Sequence, residues 1–234
     1  MSTVLLVRHG RTTSNASGTL AGWTPGVDLD DVGRAQASAL AQRLSGVALA
    51  AVVTSPLDRT RQTAELLIAG RKPPVELDID ENVGECRYGD WTGKPLKELA
   101  KTPEWKAVQV HPSAVTFPGD TGESMASMAH RAVAAVRSWN ATLGPDATYA
   151  IVSHGDVIKA ILADALGLHL DLFQRVQVDP GSLSVIRYSP LRPFVERMND
   201  TGGSVAGLTP PKRRSRGKTK ARSSEAVVGG GAGT

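Results

Sequence analysis

The sequence predicts an α/β fold, a three-layer α/β/α sandwich built around a mainly parallel sheet. Short, continuous apolar runs of the kind found in strands buried on both faces recur along the chain. Amphipathic helical patterns separate these runs, and strands that alternate with helices favour a parallel sheet covered on both faces. The chain has 234 residues, 41% of them hydrophobic, which is enough for a substantial core.

The apolar runs predict the strands, and the helical patterns predict the helices between them. The strands are expected at residues 3–7, 49–53, 148–152, 183–188 and 194–198. The helices are expected at residues 31–44, 57–68 and 123–143, with a further helix after Val157. The second helix follows Ser55-Pro56, and proline suits a first helical turn. In the third helix Met125 and Met128 share the apolar face, so we interpret these methionines as core residues.

Residues 201–234 form a basic segment rich in glycine and serine. Seven of the chain's 27 lysines and arginines lie there with one of its 23 acidic residues, so residues 1–200 carry a formal net charge of −2. The segment has no periodic apolar pattern that could offset the entropy of ordering it. We therefore predict one domain over residues 1–200 and a disordered tail over 201–234. Because charged tails are usually solvated, nucleic acid is not the expected partner.

Composition and motifs exclude several classes of protein. The single cysteine excludes a disulfide scaffold, and no apolar run is long enough to cross a membrane. The N-terminal residues lack the basic segment and cleavage site of a signal peptide, so a cytoplasmic location is the default expectation. No Walker or dinucleotide fingerprint is present. His111, His130 and His169 stand singly, without the spacing of metal ligands, so no metal site is expected.

Basic side chains and histidines follow three of the predicted strands. Arg8 and His9 follow the first strand, Arg59 lies shortly after the second, and His154-Gly155 follows the third. Ligands of open α/β sheets bind outside the carboxyl ends of the strands. A single histidine is more often structural than catalytic, but two His-Gly pairs at equivalent strand ends are hard to explain that way. The sequence therefore predicts a concentrated positive pocket suited to a phosphate dianion.

Five sequence blocks around these positions resemble one family. The blocks are LLVRHGRTTSN, GWTPGVDLDDVGRAQA, TSPLDRTRQTA, GECRYGDWTG and VSHGDVIKA. In this order, over about residues 4–190, they resemble the histidine phosphatase superfamily, the phosphoglycerate-mutase-like proteins. The resemblance implies that family's fold and phosphoryl transfer through a covalent phosphohistidine, without a metal or organic cofactor. It also implies a small phosphorylated metabolite as substrate and, since dimers are common in the family, allows a homodimer.

The resemblance assigns roles residue by residue. His9 matches the nucleophile that becomes phosphorylated, and Glu85 matches the carboxylate that acts as general acid and then general base. Arg8 and Arg59 match the phosphate clamp, for which the guanidinium fork is well shaped. His154 matches the second histidine, which stabilises charge on the phosphoryl oxygens. Glu85 needs a raised pKa for this role, which burial could provide.

The same resemblance implies a set of binding residues around the phosphoryl group. Asn15 matches a side-chain donor, Gly22 a glycine whose backbone contacts the phosphate, and Gly155 a donor through its backbone N–H. Ser124 matches the serine at the start of the family's later helix, although its spacing here is unusual. Gly10 is expected to let the backbone turn tightly beside His9.

Three functions remain open from the sequence. The favoured one is a hydrolase that acts on phosphoric monoesters. A cofactor-dependent phosphoglycerate mutase is the first alternative, but the mutases carry an arginine pair between the positions of Glu85 and His154 that this chain lacks. A non-catalytic module that binds a phospholigand is the second. Asp90 or Asp156 could replace Glu85 as the acid, and Cys86 is expected to be an ordinary buried thiol because no Cys-x5-Arg motif is present.

Overall fold

One sheet forms the centre of the protein. The computed structural model describes residues 1–203 and Gly229, and within this part six strands pair in the order β3-β2-β4-β1-β5-β6. The strands are β1 (Ser2–Arg8), β2 (Val52–Thr54), β3 (Leu77–Ile79), β4 (Thr148–Ser153), β5 (Leu183–Tyr188) and β6 (Pro193–Asp200). The first four are mutually parallel, whereas β5 and β6 are antiparallel additions at one side. The prediction of a mainly parallel sheet is confirmed.

The register of the parallel strands brings three chain segments together. Arg8 of β1 pairs with Ser153 of β4, and Thr54 of β2 pairs with the adjacent Val152. The residues that follow these three strands therefore leave the sheet side by side, at its carboxyl edge. This is the arrangement that the strand-end prediction requires.

Helices cover both faces of the sheet. They are α1 (Thr13–Ser17), α2 (Asp31–Arg43), α3 (Asp58–Ile68), α4 (Leu96–Leu99), α5 (Pro103–Val110), α6 (Met125–Leu143) and α7 (Gly155–Leu166). Side chains of β1 alternate between two cores: Leu5 and Val7 pack with α2 and α3, while Val4 and Leu6 pack with α6 and α7. Met125 and Met128 are fully buried in the second core. The three-layer architecture and the core role of these methionines are confirmed.

The sequence prediction was wrong in some elements. The second strand begins at Val52 and not at residue 49, although Leu49 and Ala51 are buried. Strand β3 was missed because it lies at the sheet edge with half-buried or exposed side chains, which give no apolar run. Helices α1, α4 and α5 were missed because they bury almost nothing; Val108 is the one buried residue of α5.

The described residues also bear on the membrane and tail predictions. No helix in this part of the chain is long and apolar enough to cross a membrane. Of the residues 201–234 predicted to form a disordered tail, residues 204–228 and 230–234 lie outside the described residues. Gly229 is described, and it lies in a turn.

Candidate active site

The end of β1 places two of the predicted residues at the carboxyl edge. Arg8, the last residue of β1, is fully buried, and its Nη1 donates to the Val178 carbonyl at 2.8 Å. His9 follows with 3% of its surface exposed. Its Nδ1 lies 2.7 Å from the Gly10 carbonyl oxygen. A carbonyl can only accept, so Nδ1 carries the proton and the lone pair of His9 is on Nε2.

The surroundings of His9 keep its ring neutral. Burial lowers the pKa of His9 well below its ordinary value, and the positive charges of Arg59 and Arg8 lower it further. The hydrogen bond to Gly10 opposes this shift but does not reverse it. His9 is therefore an unprotonated imidazole at neutral pH, the form that can attack phosphorus.

Arg59 comes from the first turn of α3, directly after β2. One of its terminal nitrogens, Nη2, donates to the Gly22 carbonyl at 2.9 Å and to Nδ1 of His154 at 3.2 Å. The other, Nη1, is buried and has no hydrogen-bond partner among residues 1–203 and Gly229. A buried cationic donor without a partner is costly unless a ligand supplies an acceptor. Arg59 is accordingly arranged to bind an anion.

His154 links Arg59 to the end of β2. Since Nδ1 of His154 accepts from Arg59, Nε2 carries the proton and donates to the Ser55 hydroxyl at 2.8 Å. The His154 and His9 ring centroids lie 5.4 Å apart, with the ring planes tilted by 59°. Burial and the charge of Arg59 lower the pKa of His154 well below its ordinary value. Both histidines of the site are thus neutral before a ligand binds.

Glu85 lies in the same buried cluster, with Oε2 3.8 Å from Nδ1 of His154. Its Oε1 accepts a hydrogen bond from the Cys86 backbone N–H at 3.0 Å. Burial, assisted by the charge of Asp156, raises the pKa of Glu85 to about 7, against the opposing influence of Arg59. A carboxyl group with this pKa can both donate and accept a proton near neutral pH.

The five residues predicted as catalytic are thus brought together. The four residues predicted to bind the phosphoryl group make contacts of different kinds. Gly22 meets the cluster through its carbonyl, which accepts from Arg59. Oδ1 of Asn15 accepts from the Thr12 N–H and hydroxyl, which leaves Nδ2 as its donor. Gly155 begins α7, so its N–H has no acceptor four residues back. Ser124 caps α6, and the contacts found for its hydroxyl are with Ser127.

Several contributors to the site were missed by sequence reasoning. Ser55 positions His154, and its place directly after β2 could have revealed it. Arg131 of α6 donates to the carbonyls of Asn82, Gly84 and Glu85 and to the Glu123 carboxylate. These bonds hold the segment that carries Glu85, yet an exposed-looking arginine within a helix gives no sequence signal for such a role.

The single cysteine and the histidines outside the cluster were also predicted to have no part in catalysis or metal binding. Cys86 is fully buried, which confirms the predicted buried thiol, and burial raises the pKa of that thiol well above the ordinary value. His111 and His169 were taken as isolated, but both approach Asp171, at 3.9 and 3.3 Å. Within the described part of the chain, no group of three or more histidine, cysteine or acidic side chains could hold a metal ion.

Comparison with known proteins identifies the family of the chain. The model of the histidine phosphatase superfamily, branch 1, matches residues 4–201, nearly the whole of the described chain. The chain belongs to the histidine phosphatase superfamily. The recognition made from the five sequence blocks is therefore confirmed, and so is the family fold.

Named relatives of this histidine phosphatase superfamily member differ in activity. It is 33% identical over 208 residues to phosphoserine phosphatase 1 of Hydrogenobacter thermophilus, covering 86% of this chain and 93% of the relative. It is 31% identical to the "Probable phosphoglycerate mutase GpmB" of Yersinia enterocolitica, covering 80% and 86% of the two chains. Some mycobacterial relatives, at 32% identity, are longer, and the match spans 54% of their length.

The fold also matches a solved structure of a bacterial relative. Bacillus stearothermophilus YhfR superimposes with a TM-score of 0.76 at 29% sequence identity. The match covers 86% of this chain and 98% of YhfR. The superfamily member described here therefore shares the architecture of YhfR across nearly all of that protein.

Proposed function

We propose that this protein is a hydrolase of small phosphomonoesters that works through a phosphohistidine on His9. One observation carries the proposal: a neutral His9 whose Nε2 lone pair is unprotonated shares a buried cluster with Arg59, whose Nη1 has no partner among the described residues. Transfer of a phosphoryl dianion requires a nucleophile to attack phosphorus and a cationic donor to bind its oxygens. The relative at 33% identity is a phosphatase by name, which agrees with this assignment.

In the first step, Nε2 of His9 attacks phosphorus and forms an N–P bond while the P–O bond to the leaving group breaks. The Nδ1–H bond to the Gly10 carbonyl holds the ring in this orientation and stabilises the positive charge that develops on it. Arg8 and Arg59 bind the phosphoryl oxygens, with Nδ2 of Asn15 and the Gly155 N–H as further donors. Protonated Glu85 gives its proton to the leaving oxygen.

In the second step, water attacks the phosphohistidine and Glu85, now ionised, accepts the proton of the attacking water. The N–P bond breaks, and inorganic phosphate and neutral His9 are regenerated. The pKa of about 7 for Glu85 suits both steps, since the acid and base forms are nearly equal in population at neutral pH. Gly22 also serves this cycle through its carbonyl, which accepts from Arg59 and helps to fix the clamp.

His154 changes role when the phosphoryl group binds. Burial and the charge of Arg59 lower its pKa, and a bound dianion opposes the effect of that charge. The ring then gains proton affinity and can stabilise negative charge on the phosphoryl oxygens. Ser55 keeps the ring facing the cluster throughout.

The substrate is a small phosphorylated metabolite, as it is by name for the phosphoserine phosphatase relative. The mutase relative makes phosphoglycerate isomerisation the alternative to test. A mutase must hold a second anionic group of its substrate, and this chain lacks an arginine pair between Glu85 and His154 that could do so. Hydrolysis is the function that the residues support best.

The decisive experiment measures phosphate release from a panel of phosphomonoesters in the presence of a chelator. We expect release by the wild type to persist with the chelator, and to fall by at least about 10³-fold in His9→Ala. His130→Ala, in which an exposed histidine of α6 is removed, is the matched control and should keep wild-type activity. Isomerisation of 3-phosphoglycerate without phosphate release would establish the mutase alternative, and inactivity in both assays would leave a binding module.

A further inference from the structure

The described part of the chain includes one residue far beyond β6 that reaches the candidate active site. Gly229 donates its backbone N–H to Oδ2 of Asp156 at 2.8 Å. Its carbonyl accepts from Nη2 of Arg8 at 3.1 Å. Both partners are completely buried, so the backbone N–H and C=O of Gly229 exchange water for two fixed, charged hydrogen-bonding groups.

The two groups that contact Gly229 are complementary to the backbone N–H and C=O of a single residue. Asp156 supplies an acceptor that is held by the Tyr88 hydroxyl at 2.9 Å and balanced by the Lys159 ammonium at 3.6 Å. Arg8 supplies a donor that is held by the Val178 carbonyl. An N–H and a C=O from one residue satisfy this acceptor and donor together. Neither a lone anion nor a lone cation would satisfy both.

The site also selects glycine. Gly229 has a φ of 75°, in the left-handed region that side chains disfavour. A Cβ built on it would lie 2.9 Å from Cδ1 of Leu20 and 3.7 Å from the Tyr88 hydroxyl. Any larger residue at this position would strain the backbone and press against the pocket wall.

We propose that Arg8, Asp156 and Tyr88 form a binding site for Gly229 of the same chain, and that the segment carrying Gly229 competes with the phosphoryl group for Arg8 through this residue. The competition rests on the proposed function, in which Arg8 binds a phosphoryl oxygen. A dianionic phosphoryl oxygen is a stronger acceptor for a guanidinium than a neutral carbonyl is. Substrate therefore displaces Gly229 when it is abundant, and the segment raises KM without lowering kcat.

The first test compares full-length Gly229→Val with the wild type. We expect KM for a small phosphomonoester, and the Ki for inorganic phosphate, to fall roughly three- to tenfold in the variant with kcat unchanged. Gly46→Val is the matched control, because Gly46 has an ordinary φ and open space where a Cβ would stand. Equal KM and Ki values in the wild type and Gly229→Val would overturn the proposal.

The second test supplies the Gly229 contact to the Gly229→Val variant as a separate peptide. A synthetic peptide with the sequence of residues 226–234 should inhibit Gly229→Val competitively with substrate, and the same peptide with valine in place of its first glycine should not. Wild-type KM should not depend on protein concentration, which shows that the segment acts within its own chain. Inhibition by both peptides alike, or by neither, would contradict the proposed site.

A third measurement does not depend on catalysis. The Gly229 amide should be protected from hydrogen exchange in the wild type, because it donates to buried Asp156, and should lose protection when inorganic phosphate saturates the site. If no substrate is turned over but this exchange pattern appears, the self-contact stands and the phosphatase proposal fails. An unprotected amide, with or without turnover, refutes the self-contact.

Discussion

At the scale of single residues, burial shifts the pKa values of His9 and Glu85 in opposite directions, and both shifts favour the neutral form. It lowers the pKa of the histidine and raises that of the carboxyl group, because in each case the charged form is penalised. Arg59 reinforces the shift on His9 and limits the shift on Glu85. Near neutral pH the cluster therefore holds an unprotonated nucleophile together with an acid that is about half protonated. These are the two protonation states that attack on a phosphomonoester requires.

The raised pKa of Glu85 makes stability depend on pH. Folded Glu85 keeps its proton up to about pH 7, whereas the unfolded carboxyl releases it near its ordinary value of 4.5. The folded carboxyl group binds more protons in this window, so the contribution of Glu85 to the free energy of unfolding falls as pH rises from 4.5 to 7, by about 3 kcal/mol. Glu85→Gln should remove this slope, as measured by urea denaturation at several pH values. Exposed Glu65→Gln should retain it, and parallel curves for the wild type and Glu85→Gln would refute the shift.

Gly10 provides the second residue-scale prediction. Its backbone lacks a positive φ, so the expected tight turn is not what requires glycine. The requirement is close approach, since a Cβ on Gly10 would meet the Gly33 carbonyl and lie 2.9 Å from the Gly33 Cα. Gly10→Ala should therefore cost about 2 kcal/mol or more and shift the loop that carries His9. Gly46→Ala is the control in thermal denaturation, and equal losses in the two variants would show that close approach is unimportant.

At the scale of elements, Arg131 connects α6 to the segment that carries Glu85. Its terminal nitrogens donate at 2.8 to 2.9 Å to three carbonyls of this segment and at 2.6 Å to the Glu123 carboxylate. Trp23 donates through Nε1 to the same Glu85 carbonyl at 2.7 Å. The Glu85 backbone is thereby fixed by two residues that are distant in sequence, while the Cys86 N–H binds its side chain.

Arg131→Lys should therefore reduce both activity and stability. Lysine keeps the charge but cannot bond all of these acceptors at once, so we expect kcat to fall about tenfold and stability to fall by about 2 kcal/mol. Arg137→Lys, on the same helix and 70% exposed, should change neither. The measurements are steady-state kinetics and urea denaturation. A loss of stability without any change in kcat would show that Arg131 does not position Glu85.

These elements also show what could be predicted from sequence. Apolar runs and basic residues at strand ends were sufficient for the sheet, the layers and the cluster of Arg8, His9, Arg59 and His154. Strand β3 and the short helices were missed because edge strands and poorly buried helices lack periodic apolar patterns. Side-chain bonds to distant carbonyls, such as those of Arg131, leave no trace in spacing. Such contacts become visible only in the folded structure.

At the scale of the whole molecule, the site concentrates positive charge inside a body whose first 200 residues carry a formal net charge of −2. Arg8 and Arg59 are both buried, and burial lowers the pKa of each, which shows that the fold bears a cost for keeping them charged. One carboxylate beside them, Glu85, is only partly ionised at neutral pH. Binding of an oxyanion would offset this cost, so ligand binding and global stability should be coupled.

Inorganic phosphate, the expected product, should therefore stabilise the protein against heat. At a concentration 100 times its Kd the gain is about 2.7 kcal/mol, which corresponds to a rise in Tm of about 5–10 °C for a domain of this size. Arg59→Met should abolish the rise. Arg71→Met is the matched control, because Arg71 donates to the carbonyls of Leu67, Val47 and Leu44 far from the site, and its loss should lower Tm but preserve the phosphate-dependent rise. A rise that survives in Arg59→Met would place the anion elsewhere on the protein.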